Sequence, residues 1–388
     1  MVGHAWRSLL FGIDGWRHYM KAGYERAAKS FDNSHLARDL TGRHVMVTGA
    51  NSGIGYETAR QLALQGATVC MVCRDRQRGT DARDAIRAEL RAMSDGTQPE
   101  SNVPEKNTKS AADDDDSHSA RVSLRVCDVS SQRAVRDLVK AYVDSGDPLH
   151  VLVNNAGCMV HDFRETDEGL EVNFATNAVG PFTLTEGLLP ILRRSGVDAN
   201  EPSRVICVSS AGMLTEKLEL DDPEMRKVPK FDGTRQYAKN KRFQVAMCEA
   251  WTKREEASAR RDDDEKEVAV AFYSHHPGWS DTDAVRSALP GFYDTLKGRL
   301  RSPLEGADTV IWLAAVDQTN ANENATKTKQ KTKALESGGF YFDRRSVAKH
   351  VGATFFATTR YSNDDVEKME RLLVAARDAA LERKSFSA

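Results

Sequence analysis

Apolar and polar positions alternate in a regular way along the chain from about residue 43 to residue 343. Short apolar runs predict strands that read RHVMVTG, ATVCMVC, RVSLRVCDV, LHVLVNNAG, SRVICVSS, EVAVAFYSHHPG and GGFYF. Between the runs, apolar residues recur at helical spacing over 54–64, 76–93, 133–143, 168–192, 237–251 and 304–315. Strands and helices therefore follow each other in turn.

This alternation predicts a parallel sheet, because consecutive parallel strands are joined by helical crossovers. Right-handed crossovers place helices on both faces. The expected fold class is α/β, with a single Rossmann-type doubly wound parallel sheet of about seven strands. Ligands of such sheets bind outside the carboxyl ends of the strands, so residues that directly follow a predicted strand are the candidates for chemistry.

Both ends of the chain extend beyond the alternation. Near the start, apolar residues recur at helical spacing with charged residues between them: Trp6, Leu9, Leu10, Ile13, Trp16, Met20 and Tyr24. Two interpretations stay open, an amphipathic helix docked on the domain and a helix that lies on a membrane surface or serves as a weak organelle address. Near the other end, Ser362 and Asp365 resemble a capping box before an amphipathic helix. The expected domains are a helical extension over 1–40, the Rossmann-type domain over 41–345 and a C-terminal helical extension over 346–388.

Two polar segments interrupt the central domain, at about 94–119 and 317–335. The first contains two prolines and ends in a run of aspartates, and the second reads largely as Asn, Thr and Lys. Segments this poor in apolar residues cannot build a core. We expect both to be surface insertions away from any site.

The stretch TGANSGIG, residues 48–55, joins the first predicted strand to the first predicted helix. Glycines let a backbone approach a pyrophosphate closely, and the helix N-terminus offers unpaired N–H groups to it. The glycine spacing is G-x-x-x-G-x-G instead of the common G-x-G-x-x-G, and a plain tight turn is the alternative interpretation. The residues predicted to contact a dinucleotide here are Gly49, Asn51, Ser52, Gly53, Ile54 and Gly55.

The end of the second strand normally selects the cofactor. An acidic residue there binds the ribose hydroxyls of NAD, whereas a basic residue accommodates the 2′-phosphate of NADP. Cys73 occupies the expected place of the acid, and Arg74 follows at once. Asp75 is expected to point elsewhere, although a register shift of one residue would reverse the conclusion. The sequence favours NADP(H) with NAD(H) as the alternative, and Arg78 either assists or is simply solvated.

Tyr237 and Lys241 are four residues apart on a predicted helix, so their side chains share one face. A free tyrosine has a pKa of about 10, and a nearby ammonium group lowers the pKa of a phenol. We therefore expect Tyr237 to exchange a proton with an alcohol or carbonyl oxygen near neutral pH. The lysine can also hold the ribose hydroxyls of a nicotinamide nucleotide.

Polar residues at other strand ends extend the candidate site. Ser210 can donate a hydrogen bond to a substrate oxygen as charge develops on it, and Ser209 is expected to turn into the fold. Asn154 is expected to brace the sheet and Asn155 to line the cofactor edge. Asn177 lies within a predicted helix, where asparagine is unfavourable, which indicates a polar role. For each residue alone a structural role fits equally well, and their joint order favours a site.

Composition narrows the classes of function. Net charge is −2 and the basic residues are scattered, so no nucleic-acid partner is expected. Six cysteines are spread thinly, and Cys70 and Cys73, three apart on a strand, should face opposite sides as buried core residues. We expect a reducing intracellular compartment and no metal site, and the choice between cytoplasm and an organelle or membrane association stays open.

Taken together, the motifs resemble the short-chain dehydrogenase/reductase family over about residues 43–343. The resemblance is carried by TGANSGIG, NNAG, PGWSDT, the helix with Asn177, and the later serine, tyrosine and lysine. It implies a catalytic tetrad of Asn177, Ser210, Tyr237 and Lys241, in which Asn177 would hold a water of the proton relay. Further cofactor contacts implied by the resemblance are Asp128 at the adenine, Asn155, Ala156 and Gly157 along the cofactor edge, and Pro277, Gly278 and Thr282 over the nicotinamide carboxamide.

The expected reaction is hydride transfer between NADP(H) and a carbonyl or secondary alcohol, with Tyr237 as general acid or base. Bulky apolar residues after the sixth strand suggest a lipid-, retinoid- or steroid-like substrate, with core packing as the alternative: Trp279, Leu289, Phe292 and Tyr293. The rival functions are an epimerase or dehydratase on the same fold, and a non-enzymatic nucleotide sensor or membrane-associated interaction protein. The helices at 168–192 and 237–251 are candidate surfaces for a homo-oligomer.

Overall fold

The structure is a computed structural model that describes residues 2–94, 121–260, 268–317, 335–351 and 358–383. The two predicted polar insertions lie almost entirely outside the described residues. Within them, the chain forms one sheet with helices packed on both of its faces.

Eight strands form the sheet in the order β3-β2-β1-β4-β5-β6-β7-β8. All neighbours are parallel except β7 and β8, which confirms the doubly wound architecture. The strand order reverses between β1 and β4, where ligands of such sheets bind. The strands are β1 His44–Thr48, β2 Thr68–Cys73, β3 Val122–Val126, β4 Val151–Asn154, β5 Ser203–Val208, β6 Val270–His275, β7 Phe340–Phe342 and β8 Arg345–Ser346.

The last strand, β8, was not expected. It has two residues and follows a tight turn in which Asp343 and Arg344 adopt positive φ angles of 47° and 57°. An element this short leaves no periodic pattern in the sequence.

Twelve helices are described. They are α1 Val2–Asp14, α2 Lys21–Ala28, α3 Gly53–Leu64, α4 Arg76–Ser94, α5 Gln132–Ser145, α6 Val172–Phe174, α7 Gly180–Asp198, α8 Gly233–Ala259, α9 Asp283–Ala288, α10 Pro290–Leu296, α11 Pro303–Ala315 and α12 Asn363–Glu382. The structure agrees within two residues with the helices predicted over 54–64, 76–93, 133–143 and 304–315, whereas the helix predicted over 237–251 extends further at both ends. Two large clusters of buried apolar residues line the two faces of the sheet. Cys70 belongs to one cluster and Cys73 to the other, so the two cysteines face opposite sides as predicted.

The helix predicted over 168–192 is wrong in two respects: it starts later than predicted, and it is not continuous. It begins at Val172 and is interrupted by a π-helical turn, Ala175–Val179, before α7. Glu168 precedes the helix, and its carboxylate accepts from the Gln132 amide at 2.6 Å. Glu171 caps α6 by accepting from the amide of Phe174 at 2.8 Å. These acids serve as caps because each lies beside unpaired N–H groups at a helix start.

The N-terminal segment is two helices instead of one. After α1 comes a π-helical turn, Gly15–Tyr19, and the chain then turns at Met20, which has extended backbone, into α2. One face of α1 docks on the domain, where Arg7 Nε donates to the Thr215 carbonyl at 2.7 Å. The opposite face leaves four large apolar side chains between 43% and 55% exposed: Trp6, Leu9, Ile13 and Trp16. No helix among the described residues is long and apolar enough to cross a membrane.

The C-terminal helix, α12, begins with the predicted capping box. Ser362 Oγ accepts from the Asp365 amide at 3.1 Å, and Asp365 Oδ2 accepts from the Ser362 amide at 2.9 Å. Met369 and Leu373 are fully buried in the core cluster that also contains residues of α7 and α8. The helix therefore covers part of the face of α8.

Candidate active site

The glycine turn lies at the reversal of the strand order, between β1 and α3. Gly49 and Gly53 have φ angles of +66° and +57°, which L side chains rarely adopt. A Cβ atom on Gly55 would lie 2.3 Å from the Gly49 carbonyl oxygen. The Ile54 side chain packs into the core, and Ser52 at the start of α3 makes no side-chain cap bond to the described residues. A glycine turn followed by a helix N-terminus fits the phosphates of a dinucleotide.

Strand β4 ends against this turn. Asn155 Nδ2 donates to the Thr48 carbonyl at 2.8 Å, and Thr48 Oγ1 accepts from the amides of Asn155 and Ala156, both at 3.0 Å. Asn154 is buried, and its Nδ2 donates to Thr185 Oγ1 of α7 at 2.9 Å. Asn154 therefore braces the sheet, and Asn155 fixes the glycine turn. The bridging role of Thr48 was missed, although it is the first letter of TGANSGIG.

Helix α8 places Tyr237 and Lys241 on one face, as predicted from their spacing. Lys241 Nζ lies 5.4 Å from the centroid of the Tyr237 ring and donates to the Val208 carbonyl at 2.8 Å. Ser210 follows β5, and its side chain lies beside the Tyr237 hydroxyl. Its Oγ also accepts from the Gly212 amide at 3.1 Å, which fixes the direction of the serine. The hydroxyl groups of Ser210 and Tyr237 therefore face each other beside the cleft.

Asn177 lies in the π-helical turn that interrupts the long helix, a type of irregularity that often marks functional sites. Its Nδ2 donates to the Cys158 carbonyl at 2.8 Å, and its Oδ1 accepts from the Cys158 amide at 3.0 Å. A Cβ atom on Gly157 would lie 2.9 Å from Asn177 Oδ1 and 3.4 Å from Lys241 Nζ. The Asn177 side chain thus holds the loop after β4 beside the lysine, and both of its polar atoms are used in doing so.

Gln244 joins these groups and was missed at the sequence level. Its Nε2 donates to the Asn177 carbonyl at 2.8 Å, and its Oε1 accepts from Lys241 Nζ at 3.3 Å. Gln244 lies one helical turn beyond Lys241 and two beyond Tyr237, so helical spacing places all three on one face. That spacing is the signal that could have found it.

Burial dominates the electrostatics of the pair. Burial raises the pKa of Tyr237 to about 12, against a smaller lowering by the hydrogen bond from Ser210. Burial also lowers the pKa of Lys241 to about 8. The pKa of Tyr237 is thus raised and not lowered as expected, because burial of the phenol outweighs the favourable contributions. At neutral pH, Tyr237 is therefore a protonated phenol, which is the form of a general acid.

The opposite end of the cleft is exposed and charged. Arg74 Nη1 lies 4.0 Å from Asp128 Oδ2, with the two side chains 79% and 39% exposed. Asp75 Oδ1 accepts from the Arg78 amide at 2.8 Å, so this carboxylate faces its own helix, as expected. Cys73 is buried at the end of β2. An arginine and not a carboxylate is therefore directed outward at the end of β2.

Residues 277–282, here called the closing segment, follow β6. Gly278 has a φ angle of +74°, and Thr282 Oγ1 caps α9 by accepting from the Val285 amide at 3.3 Å. A Cβ atom on Gly53 would lie 3.2 Å from the methyl group of Thr282. The segment that contains Pro277, Gly278 and Thr282 therefore lies against the glycine turn, and its contact with the nicotinamide carboxamide stays a prediction.

The apolar residues after β6 pack with the N-terminal extension. Trp279 makes an edge contact with Phe292 at a centroid distance of 5.1 Å and contacts the rings of Phe11 and Tyr19 at 6.0 and 5.8 Å. Phe292 and Tyr293 pack in a small cluster around Met20, Leu296 and Leu300. The contribution of the first helices to this aromatic cluster was missed, because no local pattern in the sequence connects residues 11 and 279.

Comparison with known proteins agrees with this geometry. The family model described as short chain dehydrogenase matches residues 43–102 and 101–217. Human Dehydrogenase/reductase SDR family member 12 is 37% identical over 368 residues, covering 95% of this chain and 96% of the relative. Mouse Retinol dehydrogenase 12 is 29% identical over 283 residues, covering 72% of this chain and 75% of the relative.

A solved structure shares the fold. The Pseudomonas aeruginosa RhlG/NADP active-site complex matches with a TM-score of 0.52 at 22% identity, covering 79% of this chain and 96% of that chain. Among the described residues, no group of three or more His, Cys, Asp or Glu side chains is placed to hold a metal ion. This chain belongs to the short-chain dehydrogenase/reductase family of oxidoreductases.

Proposed function

We propose that this protein transfers a hydride between NADP(H) and the carbonyl or secondary alcohol carbon of an apolar substrate, with Tyr237 as the general acid or base. The observation that carries the proposal is the placement of Tyr237 beside Ser210 and Lys241, at the strand ends that also hold the glycine turn. Tyr237 and Ser210 are both partly exposed as residues. Both can therefore reach one substrate oxygen from the cleft.

In carbonyl reduction, Tyr237 donates its proton to the substrate oxygen, and the Ser210 hydroxyl donates a hydrogen bond to the same atom. Lys241 places a positive charge next to the phenol that loses the proton. Asn177 holds the loop after β4, and Gln244 bonds both the ammonium group of Lys241 and the Asn177 carbonyl. On this basis we retain Asn177 as a member of the proposed tetrad. A bound reduced nicotinamide would supply the hydride.

The preference for NADP(H) is supported by the end of β2. Arg74 is 79% exposed and can turn toward a 2′-phosphate, while Asp75 is engaged with the Arg78 amide. Arg78 is also exposed, 3.8 Å from Asp283. The RhlG structure is named as an NADP complex, which agrees with this preference. NAD(H) is the alternative cofactor.

The substrate is proposed to be a bulky apolar carbonyl or alcohol. Trp279 of the closing segment forms an aromatic cluster with Phe292 and Phe11. The name of the mouse relative specifies a retinol substrate for that protein. An apolar ring system is the kind of substrate that an aromatic cluster would bind.

Peripheral membrane contact through residues 1–30 is proposed from the exposed face of α1. Trp6 and Trp16 flank Leu9 and Ile13 on that face, and tryptophan is favoured where an apolar phase meets water. The same face favours a second candidate function, a membrane-associated interaction protein on this fold without turnover. The predicted homo-oligomer stays a prediction, and α12 already occupies part of the face of α8.

Turnover of a carbonyl panel with NADPH separates these functions. We expect wild type to oxidise NADPH with at least one apolar carbonyl, and Tyr237→Phe to lower kcat/KM by about 100- to 10,000-fold. Tyr142→Phe is the matched control, because its hydroxyl bonds the Pro148 carbonyl far from the cleft. Full activity of Tyr237→Phe would refute the mechanism, and NADPH binding without any turnover would favour the sensor.

A further inference from the structure

Arg301 joins two segments that are far apart in the sequence. Its side chain is 2% exposed and forms an ion pair with Asp343, with Nη1 and Nη2 donating to the two carboxylate oxygens at 2.6 and 3.0 Å. The other donors reach the N-terminal extension: Nη2 donates to the His18 carbonyl at 2.8 Å and Nε to the Tyr19 carbonyl at 3.0 Å. The rigid fork of a guanidinium suits this task, since it offers five donors in one plane.

The backbone of Arg301 is bonded to the closing segment. Its amide donates to the Trp279 carbonyl, and its carbonyl accepts from the Asp281 amide, both at 2.8 Å. The Trp279 amide in turn donates to the Tyr19 carbonyl at 2.8 Å. Trp279 is thus bonded through its amide to the N-terminal extension and through its carbonyl to Arg301.

Gly278 shows how closely these parts fit. A Cβ atom at this position would lie 2.5 Å from Arg301 Nε and 2.7 Å from the Tyr19 carbonyl oxygen. The Tyr19 ring packs edge-on against His276 at a centroid distance of 4.8 Å. The closing segment therefore rests directly on Arg301 and Tyr19, and its far end, Thr282, touches the glycine turn.

We propose that Arg301, Asp343 and the Tyr19 carbonyl form a clamp that holds the closing segment in its cofactor-binding position. The N-terminal extension is then a built part of the nucleotide site, although it precedes the first strand. The identity of the nucleotide that this clamp helps to bind rests on the proposed function. Arg301 is a positioning residue, because it contacts the closing segment and makes no described contact with the tetrad.

A loosened clamp has a specific consequence. The closing segment would occupy its binding position for only part of the time, and the apparent Kd for the cofactor rises in inverse proportion to that fraction. A general loss of stability would not by itself change the Kd of the folded protein. Cofactor affinity therefore separates a positioning role from a purely structural one.

The chain offers a matched control. Arg204 is also 2% exposed, and it pairs with a buried carboxylate, Glu201. It lies near the amino end of β5 and donates to the Leu313 and Ala314 carbonyls at the end of α11. The cleft lies at the opposite ends of the strands, so Arg204 is a buried ion-pair arginine without contact to the closing segment.

The test compares full-length wild type, Arg301→Lys and Arg204→Lys, with Asp343→Asn as a second clamp variant. We expect Arg301→Lys to raise the Kd for NADPH in calorimetry about tenfold, and to speed amide hydrogen exchange of residues 277–282 without cofactor by a similar factor. Arg204→Lys should lower the thermal midpoint comparably, yet leave both quantities within about twofold of wild type.

Equal effects of the two arginine substitutions on the closing segment, or no effect of Arg301→Lys, would overturn the clamp. If Arg301→Lys does not fold, Asp343→Asn decides by the same criteria. A wild type that binds no NADPH would refute the proposed cofactor, while the exchange comparison, made without cofactor, would still decide whether the clamp exists.

Discussion

The two ends of the cleft are built in opposite ways. At the tetrad end, Lys241 is 2% exposed and bonded to the Val208 carbonyl, and Tyr237 lies beside Ser210. At the other end, Arg74 and Asp128 are solvated and 4.0 Å apart. Buried polar groups are costly unless they are fixed by partners, whereas exposed charges interact weakly and are screened by salt.

This difference indicates that the two ends of the cleft have different functions. Fixed dipoles that face a reacting oxygen stabilise developing charge without reorganisation, so the tetrad end should control rate. Mobile, solvated arginines can adapt to a phosphate but contribute only moderate energy, so the Arg74 end should control the choice of cofactor. Substitutions at the two ends should therefore change different kinetic constants.

After Tyr237→Phe, the largest expected effect comes from Ser210→Ala. Removing a hydroxyl that faces the substrate oxygen should lower kcat by about 100- to 1,000-fold. The Kd for NADPH should remain near the wild-type value, because Ser210 contacts Tyr237 and Gly212 and not the glycine turn. Stopped-flow turnover and calorimetry measure the two quantities. A large change in the Kd for NADPH with an unchanged kcat would contradict the assignment of rate control to the tetrad end.

Raising the pH should lower turnover by less than Ser210→Ala does. The pKa of Lys241 is lowered to about 8 by burial, so the ammonium is present below that pH and lost above it. Tyr237, with its pKa raised to about 12, stays protonated over the same range. We expect kcat/KM for carbonyl reduction to fall up to about tenfold per pH unit above 8. A flat profile between pH 6 and 10 would contradict the role of the ammonium.

These two residues show how much of the site could be predicted from the sequence. The polar residues of the motifs follow apolar strands, and parallel strands end at one edge of the sheet, so their meeting in space was predictable. The helical spacing of Tyr237 and Lys241 fixed their common face. The direction of the tyrosine pKa was not predictable, because it depends on burial that only the packed structure reveals.

Prediction of the fold from the sequence is limited in the same way. The apolar strands were predicted well, because burial on both faces of a sheet leaves a clear apolar run in the sequence. The π-helical turn with Asn177, the split after α1 and the short helices α9 and α10 were missed, since tertiary contacts decide each of them. Arg301 belongs to no motif, and its partners lie near residues 19, 279 and 343.

At the exposed end, Arg74→Ala should reduce the preference for NADPH over NADH about tenfold, mainly through KM. The effect should shrink in high salt, because the side chain is largely solvated. Arg78→Ala should change the preference less, since Arg78 lies near Asp283. Parallel kinetics with both cofactors at two salt concentrations provide the measurement. An unchanged ratio would remove the basis for assigning NADP.

The smallest effect is expected from Asp75→Ala. Its carboxylate accepts from the Arg78 amide at the start of α4, so the loss should cost about 1 kcal/mol of unfolding free energy. The ratio of NADPH to NADH activity should not change. Urea unfolding and cofactor kinetics test the two statements separately. A marked loss of NADH activity alone would mean that Asp75 contacts the ribose.

A crystal structure of the complex with NADP⁺ and a carbonyl inhibitor tests the central claim most directly. We predict that Tyr237 Oη and Ser210 Oγ both lie at hydrogen-bond distance, about 2.6–3.2 Å, from the inhibitor oxygen, with the nicotinamide beside them. A complex in which the nicotinamide or the carbonyl binds away from Tyr237 would contradict the account.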